Sequence, residues 1–476
     1  MRELLVLALV VALAMATMLT APPPRCFGQE EQEQPAKVIA TPPEGTLYHG
    51  VFPGPAGAGE EDEVSKDSLA SYTNAVGKPV AWVFFSHNWF KDRKFPAETA
   101  SWIREAGSVP YIRLMLRSSE EQNIEETTFT LQRLVKGDFD SDLREWAKEA
   151  RAFGTPLLAE YGVEMNGRWF PWNAVWNGGG TTEGYGDASV PNGPEIFRDT
   201  YRRIIKIARQ EGAHNVTWVF HVNNEDIPDE PWNKLDLYYP GDEWIDWLAV
   251  SAYGAQKPAD EEWATFREMM DKAYPRLAAL SPDKPVIVAE FGCTSGHKTC
   301  KQAEWAEKAL SDLTERRWPR VIGFCWWNEM WENDENPKHN TNMRVQDSRE
   351  LAGAFRRLVG SSERVIGKPV VTHREASDGE AKWSSINDFV YQLQRADLDA
   401  IGRTKFDLVV VDYSRDGSEG ARFSKKEIAA LKTSPGGNKL VLAYMSIGEA
   451  EDYRWYWREE WDADRDGKPD EKAPAW

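Results

Sequence analysis

The stretch Pro156-Leu157-Leu158-Ala159-Glu160-Tyr161-Gly162-Val163-Glu164 is a short, mostly apolar run that ends in a glutamate. A second run of this kind, Pro285-Val286-Ile287-Val288-Ala289-Glu290, also ends in a glutamate. Short apolar runs bounded by turn residues are typical of the buried strands of a parallel sheet. Each stretch therefore predicts a strand with a carboxylic acid at its C-terminal end.

Outward from these two stretches, further apolar runs complete a set of eight predicted strands, at residues 46–51, 79–85, 109–115, 216–222, 247–252 and 321–327. Segments with helical spacing separate many of them, at residues 142–153, 194–211, 261–280, 301–317 and 347–358. No glycine-rich phosphate loop follows the first strand. This order predicts the α/β class and a (β/α)8 TIM barrel over residues 45–360. Glu164 would then end strand 4 and Glu290 strand 7, both at the face where such barrels carry active sites.

Composition and the N-terminus limit the partners of this chain. Its net charge of −19 argues against nucleic acid and anionic membrane surfaces as ligands. Residues 1–29 read as a signal peptide and mobile lead, because the apolar run 4–19 is short and prolines follow it. No later run reaches membrane length, so we expect a secreted protein, periplasmic or extracellular, without a membrane span. The sequence leaves the oligomeric state open.

Two strand-end glutamates beside indole rings suit the hydrolysis of a polysaccharide. One carboxyl group protonates the leaving oxygen and the other attacks the anomeric carbon, while indole faces stack on sugar rings. The candidate substrate-binding residues lie at or just after the ends of predicted strands 4, 5, 6 and 8: Asn166, Trp169, Trp172, His221, Asn223, Tyr253, Trp326 and Trp327. A purely structural histidine is an equal alternative for His221. Glu329 and Glu332 are expected to be solvated loop acids.

The motifs at 164–172, 238–242 and 289–292 resemble glycoside hydrolase family 26, which is best known for β-mannanases. The resemblance implies a retaining endo-β-glycanase that acts by double displacement, with Glu164 as acid/base and Glu290 as nucleophile. It also implies that Tyr253 supports the nucleophile, and that no cofactor is required. Many members carry His immediately before the acid/base and Arg four residues before it, where this chain has Val163 and Glu160. The alternative is therefore a catalytically silent glycan-binding barrel in an exopolysaccharide system.

Because the protein is predicted to be exported, its cysteines can form disulfides. Cys293 and Cys300 are seven residues apart in a loop after the Glu290 strand and predict a disulfide, whereas Cys325 lies in an apolar run and predicts a buried thiol. A zinc site at Cys293, His297 and Cys300 is the weaker alternative, because no second pair of ligands stands at usable spacing.

A second unit is predicted at residues 383–476, after a polar linker at 361–382. Its apolar runs at 406–411 and 439–447 are followed by acids. They resemble the start of glycoside hydrolase family 114, the endo-α-1,4-polygalactosaminidase type, which implies site residues at Asp412, Glu449 and Glu451. The 94 residues from 383 to 476 are too few to close a barrel, so an incomplete second (β/α) barrel is expected.

The last acidic run has the spacing of an EF-hand loop opening. Asp462, Asp464, Asp466 and Asp470 alternate with other residues around Gly467, but Ala473 stands where the bidentate glutamate belongs. A calcium site and a solvated acidic loop are the two interpretations.

Overall fold

The computed structural model describes residues 35–56, 61–374, 386, 388–444, 452, 454, 456–466, 468, 470 and 473. The chain divides into two compact units, Met1–Arg374 and Glu375–Trp476. The predicted signal peptide at 1–29 lies outside the described residues. Over the described part of the chain, no helix combines the length and the apolar character needed to cross a bilayer.

The first unit is a closed barrel of eight parallel strands. These strands are β1 Leu47–Phe52, β2 Trp82–Asn88, β3 Val109–Met115, β4 Leu157–Tyr161, β5 Val216–Asn223, β6 Trp247–Tyr253, β7 Val286–Gly292 and β8 Val321–Trp327. Each strand pairs with its neighbour in the chain, and β1 pairs with β8 to close the barrel. The predicted (β/α)8 TIM barrel is confirmed, because all eight apolar runs form its strands.

The helices of this unit cover the outside of the barrel. They are α1 Lys66–Val76, α2 Ala97–Glu105, α3 Leu131–Lys136, α4 Asp140–Phe153, α5 Asn192–Gln210, α6 Phe266–Leu280, α7 Gln302–Thr314 and α8 Arg349–Phe355. α6 begins later than the predicted residue 261, because Thr265 and Glu268 form a reciprocal capping box that fixes the helix start. No α-helix joins β5 to β6, where only short 3-10 turns occur.

Residues beyond 360 still belong to the barrel unit. Val365–Ile366 pairs with β1, and Val371–His373 pairs antiparallel with Lys37–Ile39. Arg374 then donates to both carboxylate oxygens of Asp246 at 3.0 Å. Residues 361–374 of the predicted linker therefore belong to the barrel unit, because strand pairing and this ion pair hold them. Residues 375–382 of that prediction lie outside the described residues.

The described part of the second unit is a three-stranded parallel sheet of β9 Phe389–Gln392, β10 Leu408–Asp412 and β11 Leu440–Tyr444. Helices α9 Leu398–Gly402 and α10 Lys425–Lys432 connect the strands in β-α-β-α-β order. Its buried apolar cluster is small, consisting of Ile401, Val409, Val411 and Leu431. The resemblance of this unit to family 114 stays a prediction.

Candidate active site

Glu164 and Glu290 occupy the C-terminal ends of β4 and β7. The chain turns sharply after β4, with Gly162 at φ +67° and Glu164 at φ +50°. A Cβ on Gly162 would overlap the ring of Phe197, so this turn requires glycine for space as well as for its backbone conformation. The two glutamates are 9% and 4% exposed, which places both carboxyl groups in a largely dehydrated site.

The carboxylate of Glu290 accepts two hydrogen bonds. Arg113 Nη1 donates to Oε1 at 2.9 Å, and the Tyr253 hydroxyl donates to Oε2 at 2.9 Å. Burial raises the pKa of Glu290 to about 7; Arg113 opposes this rise and the negative charge of Glu164 adds to it. The pKa of Tyr253 is raised well above its usual value, first by burial and then by Glu290 and Glu164, so Tyr253 remains a donor. Together these contacts fix the orientation of the Glu290 carboxyl group.

Arg113 is a site residue that the sequence prediction missed. It lies on β3, in register with Ser86 on β2 and Glu160 on β4. Its guanidinium donates from Nε to Ser86 Oγ at 3.0 Å and from Nη2 to Glu61, while the side chain is 3% exposed. A charged residue inside an apolar parallel strand was the available signal, because such a charge must face a partner in the barrel interior.

Glu164 is oriented by Trp169. The indole Nε1 donates to Glu164 Oε2 at 2.7 Å, and the half-buried ring lies beside the carboxyl group. Gly167 makes this placement possible, because a Cβ there would overlap the indole. The predicted residue Trp169 therefore lies at the acid/base candidate.

A series of buried polar side chains, linked by hydrogen bonds, lies beneath the two glutamates. His221 contacts Glu160 through Nδ1 at 3.0 Å and Ser251 Oγ through Nε2 at 2.8 Å, and the Tyr111 hydroxyl donates to Glu160. Burial favours the neutral imidazole, but the charge and hydrogen bond of Glu160 outweigh it and raise the pKa of His221. With both ring nitrogens engaged and 1% exposure, His221 occupies a supporting position and not the surface of the cleft.

The two predicted asparagines brace the loops around the cleft. Asn166 is fully buried, and its amide nitrogen contacts the carbonyls of Asn223 and Glu225 and the carboxylate of Asp226. Its Oδ1 accepts from the backbone nitrogen of Asn223 at 2.8 Å. These bonds saturate Asn166 and leave the half-buried Asn223 closer to solvent.

The predicted tryptophans divide between core and site. Trp172 donates to the carbonyl of Val163, and Trp326 donates to that of Met343; both rings are buried. Their positions do not support the predicted stacking on a sugar, because neither ring has an open face. Trp327 stacks on Phe52 with ring centroids 3.9 Å apart and lies 5.3 Å from the Arg113 guanidinium. It therefore forms part of the base of the site.

Glu329, expected to be solvated, is instead buried and accepts from Trp327 Nε1 at 2.9 Å.

The remaining predicted site residues belong to the second unit. Asp412 is buried and paired with Arg454 at 2.7 Å, while Glu449 and Glu451 lie outside the described residues. Carboxylate oxygens of Asp462, Asp464 and Asp466 lie within 4.8 Å of one another, whereas Asp470 accepts from the backbone nitrogen of Ala463. The calcium site stays a prediction, because exposed acids gather in this way without an ion as well.

The cysteine pair lies in the loop after β7. The sulfurs of Cys293 and Cys300 are 3.1 Å apart as thiols, and both residues are buried, as is Cys325. His297, the third ligand of the alternative zinc site, instead contacts the carbonyl of Asp260 through Nε2 and accepts at Nδ1 from the backbone nitrogen of Cys300. Its ring nitrogens are therefore already engaged.

The site thus contains the Glu290 carboxylate on β7, held by two donors, and the Glu164 carboxyl group in the turn after β4. The indole of Trp169 contacts Glu164, and that of Trp327 lies beside Arg113. Residues 119–343, which include both glutamates, match the model of glycosyl hydrolase family 26. The barrel is a glycoside hydrolase domain that is similar to family 26 over these residues. Retention of anomeric configuration is characteristic of the family.

Individual relatives of this glycoside hydrolase domain are distant. Endoglucanase H of Acetivibrio thermocellus is 25% identical over 307 residues, which cover 64% of this chain and 30% of that protein. Mannan endo-1,4-beta-mannosidase of Bifidobacterium adolescentis is 24% identical over 331 residues, with 66% of this chain and 30% of that protein covered. The chain therefore spans about a third of the length of these two relatives. The structure of a β-mannanase from Bacteroides ovatus aligns with 68% of this chain and 90% of its own, at 14% identity and a TM-score of 0.47.

Proposed function

We propose that the barrel unit is a secreted, retaining endo-β-glycanase that hydrolyses a β-linked polysaccharide by double displacement. Glu290 attacks the anomeric carbon, and Glu164 first protonates the leaving oxygen and then deprotonates the attacking water. The observation that carries the proposal is the difference between the two carboxyl groups. Glu290 accepts from a guanidinium and a phenol, which favour an anion, whereas among described residues Glu164 Oε2 accepts only from the neutral indole of Trp169.

This chain has Glu160 at a position where many family 26 members have arginine, and the structure places a different arginine, Arg113, in the site. Where many family members carry Arg before the acid/base, this chain has a glutamate that pairs with His221, and a guanidinium enters the site from β3 as Arg113. The names of the two relatives, an endoglucanase and a mannan endo-1,4-beta-mannosidase, support a polysaccharide substrate cut at internal bonds. The apolar run near the N-terminus supports secretion.

The alternative is a barrel that binds glycan without cleaving it, and Val163 favours this alternative. It occupies the position before the acid/base but is buried and apolar, so it offers the sugar no hydrogen bond.

The two functions are separated by product analysis. Purified residues 35–374 would be incubated with a panel of β-glucans, β-mannans and mixed-linkage glycans, and the first-formed anomer recorded by proton NMR. Internal cleavage with a β-anomer formed first is expected. Tight glycan binding without cleavage of any member would favour the silent barrel, and an α-anomer formed first would exclude double displacement.

A further inference from the structure

Glu61 lies beside the nucleophile although it belongs to the loop between β1 and α1. Its backbone carbonyl accepts from the backbone nitrogen of Ser86 at 3.1 Å, and its Oε2 accepts from Ser86 Oγ at 2.9 Å. The same Oε2 accepts from Arg113 Nη2, while Nη1 of that guanidinium donates to Glu290. One guanidinium therefore separates the Glu61 carboxylate from the Glu290 carboxylate.

The Arg113 guanidinium contacts two carboxylates. Arg113 is 3% exposed and its charge already has a buried partner in Glu290, whose side chain is 6% exposed. Glu61 adds a second negative charge, and its side chain is 35% exposed. Burial opposes its ionisation, but Arg113, Arg117 and the hydrogen bonds from Ser86 and Arg113 lower the pKa of Glu61 below its ordinary value.

The two oxygens of Glu61 differ in their bonding. Oε2 is held by Ser86 and Arg113, whereas no described residue donates to Oε1. A fixed carboxylate with one free oxygen is a strong acceptor for a hydroxyl group, because the bond is charge-assisted and little side-chain freedom is lost on forming it.

We propose that Glu61 is a specificity-determining residue whose Oε1 accepts a hydrogen bond from a ring hydroxyl of the sugar bound at Glu290. The inference rests on the proposed hydrolase function and names a contact within that site. A pyranose whose anomeric carbon faces Glu290 extends past the guanidinium of Arg113, which brings one of its hydroxyl groups to Glu61. The substrate class is therefore a neutral β-glycan with a free hydroxyl at that ring position.

The test pairs a variant with modified substrates. In Glu61→Gln the amide oxygen can keep the bonds from Arg113 and Ser86, which turns the NH2 group towards the sugar and replaces an acceptor by a donor. Wild type and variant would be assayed on 4-nitrophenyl β-glycosides of the preferred sugar and on analogues in which one ring hydroxyl is replaced by hydrogen. We expect kcat/KM on the parent glycoside to fall by about 10-fold to 100-fold, and to fall much less on the one analogue that lacks the contacting hydroxyl.

Ser86→Ala is the matched control, because it removes a bond to Oε2 and leaves Oε1 unchanged. Its loss should be equal on the parent glycoside and on every analogue. An equal loss for Glu61→Gln on all substrates would overturn the contact and show that Glu61 acts only through Arg113. A wild-type protein that binds the glycosides but cleaves none would count against the proposed function and this contact together.

Discussion

Arg113 Nη1 lies 2.9 Å from Glu290 Oε1, and both side chains are almost completely removed from water. A guanidinium in contact with a buried carboxylate favours its anionic form, which is the form that attacks an anomeric carbon. Arg113 does not need to touch the sugar for this purpose. We therefore expect Arg113 to act as a positioning residue whose effect appears in the ionisation of Glu290.

Replacing Arg113 should therefore change the pH dependence as well as the rate. We expect Arg113→Ala to lower kcat/KM by about 100-fold or more and to move its acid limb to higher pH, because Glu290 loses its cation. Arg113→Lys should lie between wild type and Arg113→Ala, since it keeps the charge but not the planar fork. The exposed Arg317, paired with Asp271, provides the control variant Arg317→Ala. A rate loss without any movement of the acid limb would contradict the positioning role.

In the wild-type protein, the acid limb of the pH dependence of kcat/KM should lie at an unusually high pH. Because the pKa of Glu290 is raised to about 7 and the reaction needs its anion, kcat/KM should increase with pH and reach half of its plateau near pH 7. Tyr253→Phe removes a donor to the anion and should shift this limb to still higher pH. Tyr239→Phe, which removes a hydroxyl bonded to Asp242, should leave the limb in place. A wild-type limb near pH 4 would refute the raised pKa.

The acid/base assignment predicts a dependence on the leaving group. Glu164→Ala should retain the first step for dinitrophenyl glycosides, which need no protonation, and lose it for polysaccharide. Azide should then replace water and give a β-glycosyl azide, detectable by mass spectrometry. Trp169→Phe, which removes only the indole donor to Glu164, should show a weaker form of the same selectivity. Equal losses on both substrate types without an azide product would exclude Glu164.

The sulfurs of Cys293 and Cys300 are close enough to be joined by a small movement. Their hydrogen bond lowers the pKa of Cys300 to about 7, which favours the thiolate needed for oxidation. We expect peptide mapping of exported protein without reductant to show these two linked and Cys325 free. Reduction should then lower the free energy of unfolding by about 2 kcal/mol. Recovery of both residues as thiols from oxidised protein would refute the pairing.

Among its described residues, the second unit has only a small buried apolar cluster, so we expect it not to fold cooperatively alone. Residues 383–476 should melt over a broad temperature range, because the buried cluster around Val409 and Val411 is small. Residues 35–374 serve as the control and should give a sharp transition. A sharp two-state melt of the short fragment would show that it is an independent domain.

Sequence patterns predicted the barrel well because its strands are buried on both faces and therefore read as apolar runs. They predicted the tryptophans less well. Trp326 and Trp327 are adjacent, yet strand alternation sends Trp326 outward to Phe355 on α8 and Trp327 inward to Arg113. Glu61 could not be found from local sequence, since only the closed barrel brings the β1–α1 loop next to β3.

Glu164 has a left-handed backbone conformation, and because of it the residue best for stability differs from the residue needed for activity. At φ +50° a side chain is strained and glycine is not, so the fold would prefer glycine at the position where the chemistry needs a carboxylic acid. Glu164→Gly should consequently unfold at a higher temperature than Glu164→Ala, although neither can protonate a leaving group. Selection for thermal stability alone would therefore favour loss of the carboxyl group that we propose as the acid/base.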